Sequence, residues 1–402
     1  MTISPDRVLV RQILLLSCAA FASAVSARIS DPLLPQLAST FAISTGEAAH
    51  AISMFALAYG LLQLFYGPVG DRYGKFRIVT ITTLASTVGS LGAAMAGSFH
   101  SLVIFRFLTG ATAAAIIPLA MAWIADNVPY EQRQHTLAYF LSGQILGLIS
   151  GQLLGGLFAD LTGWRGALAC LVVIYLAVGI LLVLELRRSP SHGDAAARAP
   201  DGDSFLGHVK NILGNAWSRV ILLSVLAEGA FLFGSLSFIP AYLHQRFGLT
   251  LTLAGAALGL FGIGGLSYTL FARYFVKTLG EQKLAAYGGG LLGLTFIILT
   301  LGEHWLWVVP AAWCAGFGFY MLHNTLQINA TQMAPKARGT AVSLFASCFF
   351  LGQSMGVAAA SQIIDRYGIL TVFGISAVLL PLMGGTFSAL LKRRHARMPR
   401  TD

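Results

Sequence analysis

The sequence predicts an all-α integral membrane protein, with twelve transmembrane helices in two pseudo-symmetric six-helix bundles. Three observations carry that prediction. First, hydrophobic residues make up 56% of the 402 residues and charged residues only 10%, with a mean hydropathy of +0.73. A soluble domain carries roughly 25% charged residues, so this chain is too poor in charge to face water over most of its surface. Second, the apolar runs are about 20 residues or longer, the length a helix needs to cross a hydrocarbon core of about 30 Å. Strands of a membrane barrel would instead alternate over about ten residues. Third, the two halves of the chain echo one another.

The runs fall approximately at 10–37, 47–68, 77–98, 101–125, 133–159 and 165–186, then at 217–243, 250–276, 283–302, 305–330, 339–364 and 369–391. The first contains Arg28 and is too long for a cleaved signal segment. The domains read as a bundle at 1–186, a linker at 187–216, a second bundle at 217–391 and a basic tail at 392–402. The linker mixes Pro, Gly, Ser, Asp and Arg. At its end Phe205, Leu206, Val209, Ile212, Leu213 and Trp217 recur at helical spacing, which predicts a short amphipathic helix on the inner leaflet.

Charge placement orients the chain. Of the Lys and Arg residues, Arg28 and Arg106 lie deep in apolar runs, and Arg165, Arg246 and Arg366 lie on one set of connections. The others gather on the opposite connections, the linker and the termini. Basic residues stay on the cytoplasmic side, so both termini are expected there, in a bacterial-type inner membrane. The net charge of +10 is therefore a topology signal, and no nucleic-acid partner is expected.

Duplication shows in spacing. Gly74 and Gly280, and Pro129 and Pro335, are each 206 apart. Arg133 and Arg338, the stretches GLISG (147–151) and GQSMG (352–356), and DLTG (160–163) and DRYG (365–368), are each 205 apart. Parallel repeats place a central site at the interface between the halves.

Charge concentrates in the stretch YGPVGDRYGKFR, between the second and third runs. Gly67 and Gly70 permit close helix approach, and Gly74 suits a tight turn. Asp71 can pair with Arg72, Lys75 or Arg77, or face a helix start in the other half. These residues resemble the signature loop of the major facilitator superfamily, and the resemblance extends over the chain. Arg106 and Gly110 in RFLTG resemble that family's motif in the fourth helix. Gly143, Gly147, Gly151 and Gly155 form one stripe on the fifth segment, similar to the signature of proton-coupled exporters. That signature has a proline after the third glycine; here Gln152 stands there. Lys277 takes the position corresponding to Asp71 in the second half. The resemblance implies a secondary transporter that alternates access between two faces, with the Asp71 loop as gate.

Ionisable residues inside a membrane are functional candidates, because insertion costs roughly 2.5–3.5 kcal/mol each. Two carboxylates read as deep. Asp31 shares a helix face with Arg28 and precedes Pro32 and Pro35, which bend the helix. Its role is either coupling or a structural ion pair. Glu228 lies near mid-membrane with no basic residue within one turn. Desolvation there favours the neutral carboxyl, so Glu228 can exchange a proton with a gradient. The other reading is a partner on a neighbouring helix. Arg106 reads as either a coupling or a structural arginine. Tyr320, Asn324 and Gln327 share a face, with His323 beside them. Tyr59 and Gln63 form a similar pair, and Gln144 and Phe231 complete the candidate substrate contacts.

No phosphate-cradling GxxxxGK[ST] loop is present, so ATP is not the expected energy source. No cofactor, metal or enzymatic constellation is expected, and Cys18, Cys170, Cys314 and Cys348 read as small core residues. The expected partners are a small-molecule substrate, protons and membrane lipid, and a monomer is expected. The function predicted is proton-coupled efflux of small organic compounds, drug or sugar-like. Its alternatives are proton-coupled uptake of a metabolite, or a membrane receptor without transport.

Overall fold

The computed structural model describes residues 7–188, 205–335 and 337–397. Eleven helical spans are long and apolar enough to cross a membrane: α1 (Arg7–Phe41), α2 (Thr45–Tyr73), α3 (Lys75–Ala94), α4 (Phe99–Asn127), α5 (Tyr130–Thr162), α6 (Trp164–Arg188), α7 (Ala216–Phe247), the 51-residue span Leu251–Leu301, α10 (Trp305–Thr331), α11 (Arg338–Tyr367) and α12 (Ile369–Ala396). The 51-residue span is two helices meeting at Gly280, whose φ of 69° and ψ of 166° are non-helical. Counting it as α8 (251–279) and α9 (281–301) gives the twelve that the sequence predicts. Most of the expected linker and the end of the tail lie outside the described residues.

Among the described residues two large apolar cores form, one mainly from α1 to α6 and one mainly from α7 to α12, with a small third cluster at Tyr268, Leu284 and Met321. Outside them, large apolar side chains face outward, among them Val88, Val173, Leu223, Leu270 and Leu301, each more than 60% exposed. Water would not tolerate so much exposed apolar surface; lipid does.

Several local expectations change. The stretch around Asp71 is not a loop: α2 continues through it to Tyr73. Gly74 alone turns the chain, at φ 90° and ψ 123°, and α3 begins at Lys75. Gly70 packs against the Leu119 side chain, but Gly67 meets nothing within 4 Å and lies on a cavity wall. Close approach at Gly67 therefore does not occur in this conformation. In α1 the two prolines produce a turn of 3₁₀ helix at Asp31–Leu33. The predicted amphipathic helix is present at Phe205–Gly214, with Ile212 buried in the second core. Trp217 belongs instead to α7, stacked on Phe387 with ring centroids 5.8 Å apart.

The glycine stripe of α5 packs on α1. A Cβ at Gly151 would stand 2.7 Å from the Val25 carbonyl oxygen, and one at Gly147 would stand 2.8 Å from the Ala24 methyl. Without side chains the two backbones approach at van der Waals distance.

Candidate functional site: a central cavity flanked by two buried polar clusters

A cavity of about 2830 Å³ runs between the halves. Its mouth carries Asp71, Arg72, Lys75, Arg77, Asp126, Arg133 and Arg338, so it opens on the basic face. At the mouth Lys75 binds Asp71 at 2.6 Å and Asp126 at 2.8 Å. Asp71 is thus engaged within its own half in this conformation.

Deeper, the walls come from α1, α2, α5, α7, α8, α10 and α11. Of the sequence-predicted contacts, Tyr59, Gln63, Gln144, Tyr320, His323, Asn324 and Gln327 all line the cavity, as does Arg28. Phe231 does not. A π turn at Gly229–Phe233 shifts the register of α7, the Phe231 carbonyl accepts from Ser376 at 2.7 Å, and Phe233 takes the place on the wall. The residue pattern of α7 does not reveal a π turn, so it does not show which phenylalanine reaches the cavity. Phe350 of α11, unforeseen, stacks on Tyr59 with centroids 4.1 Å apart.

Neither deep carboxylate lies on the wall; both are fully buried behind it. Glu228 Oε2 lies 2.7 Å from His323 Nδ1. His323 reaches the cavity and packs flat on Phe319, with ring centroids 4.7 Å apart. An O···N contact of that length holds one proton between its atoms, on either side. The imidazole therefore connects the buried carboxyl to the cavity.

The second cluster joins the halves. Asp31 Oδ2 accepts from Gln152 Nε2 at 2.6 Å and lies 3.7 Å from Arg28 Nη1. Arg28 Nη2 donates to Gln353 Oε1 of α11 at 3.3 Å, and the guanidinium stands 4.0 Å over the Phe233 ring. Gln152, which replaces the exporter proline, is thus the amide partner of Asp31.

Among the described residues Arg106 makes no side-chain bond to either cluster, although its charge is felt at Asp31. It donates to the Ser26 carbonyl at 2.9 Å and the Ala51 carbonyl at 3.4 Å, tying α4 to α1 and α2. Glu185 is a third buried carboxylate that sequence reading passes over. It is 2% exposed and pairs with Arg11 at 2.5 Å. Its position near the end of an apolar run hides the burial that tertiary packing imposes.

Comparison with known proteins now adds the family. The family profile of the Major Facilitator Superfamily matches residues 16–357. The chain belongs to the major facilitator superfamily. It is similar to an MFS-type transporter of Bacillus subtilis, YceJ, at 26% identity over 90% of this chain and 92% of that one. It is also similar to a probable sugar efflux transporter of Pasteurella multocida, at 21% identity over 91% and 88%. The crystal structure of nucleoside transporter NupG superposes with a TM-score of 0.77 at 14% identity, covering 94% of this chain and 99% of that one. This multi-pass membrane protein is a transporter and not an enzyme.

Proposed function

We propose that the chain is a secondary active exporter of small organic compounds, driven by protons entering in exchange. The basic face is cytoplasmic, and the conformation described is inward-open. One observation carries the reading: Glu228, fully buried, is hydrogen-bonded to a histidine that lines the cavity. A carboxyl isolated from water has no structural need for charge, and its one partner is the side chain that substrate would touch. Substrate pressing on His323 disturbs the shared proton, which then leaves toward the cytoplasm. Opening to the other side lets substrate depart and a proton return. The glycine stripe on α5 and the sugar-efflux relative support the outward direction. Asp71 latches the cytoplasmic side when that side closes, so Asp71→Ala slows cycling while substrate binding persists.

The test is transport in proteoliposomes with an imposed pH gradient, using compounds selected by thermal-shift screening. Export by exchange accumulates substrate on the side that supplies protons. Accumulation on the opposite side would establish the uptake reading instead. Unchanged pH-driven flux in Glu228→Gln would remove Glu228 from the mechanism.

A further inference from the structure

The face opposite the cavity mouth is closed by two carboxylates that the transport cycle described above does not use. Asp160, in the last turn of α5, accepts from the backbone of Leu251 at 3.2 Å and of Thr252 at 2.7 Å, and from the Thr252 hydroxyl at 2.6 Å. Asp365, in the last turn of α11, accepts from the Gly46 backbone at 3.2 Å and the Ser44 hydroxyl at 2.6 Å. Each bond crosses between halves. Asp160 of the first half holds the start of α8, and Asp365 of the second holds the start of α2.

The two contacts correspond through the repeat, sharing the backbone donor at Gly46 and Thr252 while their hydroxyl donors differ. Asp160 and Asp365 are 205 apart; Ser44 and Thr250 are 206 apart, as are Gly46 and Thr252. Ser44 and Thr250 cap their helices in the same way, accepting from Glu47 N at 2.9 Å and Leu253 N at 3.2 Å. The repeated Asp-x-x-Gly of the sequence is therefore a repeated cross-half contact. Its chemistry is direct: the first turn of a helix presents unpaired N–H groups and partial positive charge, and a carboxylate satisfies both. Packing at each contact leaves no slack. A Cβ at Gly46 would stand 2.6 Å from both Asp365 carboxylate oxygens and 2.5 Å from the Ser361 carbonyl. At the other contact, Gly156 lies against the Leu251 backbone and Gly255 against that of Gln152.

We propose that Asp160 and Asp365 are a matched pair of clasps that hold this face shut, and that both must release before the carrier opens there. They are positioning residues and touch no substrate. The clasps act on the closed–open equilibrium itself, so the proposal holds whichever direction substrate moves and whether or not protons drive it.

The experiment measures the distance between spin labels at His100→Cys and Glu303→Cys, which sit on this face in different halves. The four native cysteines are replaced by serine. Asp160→Asn and Asp365→Asn should each raise the long-distance, open population by roughly five- to tenfold, the scale of a charge-assisted bond at a helix start. The double variant should raise it further. Thr252→Val, which deletes a hydroxyl donor to Asp160 without touching the Thr250 cap, should shift it in the same direction by less. An unshifted distribution in a folded Asp→Asn variant would overturn the proposal. So would a lowered melting temperature without a shift, since that marks ordinary helix caps. If the Asn variants fail to fold, Thr252→Val decides: no shift there also overturns it.

Discussion

The two buried clusters beside the cavity use similar residues for different ends. Around Arg28 and Asp31, opposite charges face each other, amides complete the shell, and partners come from both halves. Around Glu228 there is no fixed cation among the described residues, only an imidazole whose charge is itself adjustable. A fixed cation favours the charged form of the carboxylate beside it. A histidine leaves it free to change. The difference separates a cluster suited to joining the halves from one suited to carrying a proton.

Five substitutions test that contrast and its surroundings. Arg28→Met strands Asp31 as a buried unpaired charge and should destabilise the protein by about 3–5 kcal/mol, read as a large fall in thermal melting. Adding Asp31→Asn should restore most of it; failure to recover would mean the pair is more than mutual neutralisation. Next comes Glu228→Gln, with pH-driven flux lowered on the order of 100-fold, the scale of one lost proton-transfer group. Melting should change little, and substrate counterflow without a gradient should persist. Gln152→Leu leaves Asp31 Oδ2 short of a donor, costing about 1–3 kcal/mol, with the pH profile of flux retained. A Gln152→Leu profile as flat as that of Glu228→Gln would reverse the assignment of roles. The smallest effect belongs to Tyr59→Leu, which removes the ring stacked on Phe350 and should cost about 0.5–1.5 kcal/mol by melting.

The fold was legible because membrane insertion writes itself in composition. Runs of 20 apolar residues and one-sided basic loops need no tertiary information. The positions of Tyr59, Gln63, Asn324 and Gln327 on the wall follow from helical periodicity in unbroken helices. Where backbone geometry departs from that period, the pattern gives no guide, as at the π turn that puts Phe233 rather than Phe231 on the wall. Pairings between helices were illegible for another reason. Glu228 with His323, or Arg28 with Gln353, depends on which helices become neighbours, and single-helix patterns do not encode that. The same limit applies to the Asp-x-x-Gly repeat: its spacing reveals duplication, but its bonds to Ser44 and Thr252 exist only once the halves meet.

Consider α2 as a mechanical part. It is 29 residues long, about 44 Å at 1.5 Å per residue. One end is gripped by Asp365 at its first turn, and Asp71 sits in the last turn at the other. A single beam thus carries a fastening at each tip, on opposite sides of the membrane. In the proposed cycle, tilting it to bring the Asp71 end against the second half would pull the Gly46 end away from Asp365. On that cycle one seesaw would govern both sides, and the length of a helix, rather than any signal passed between gates, would prevent leakage through both at once.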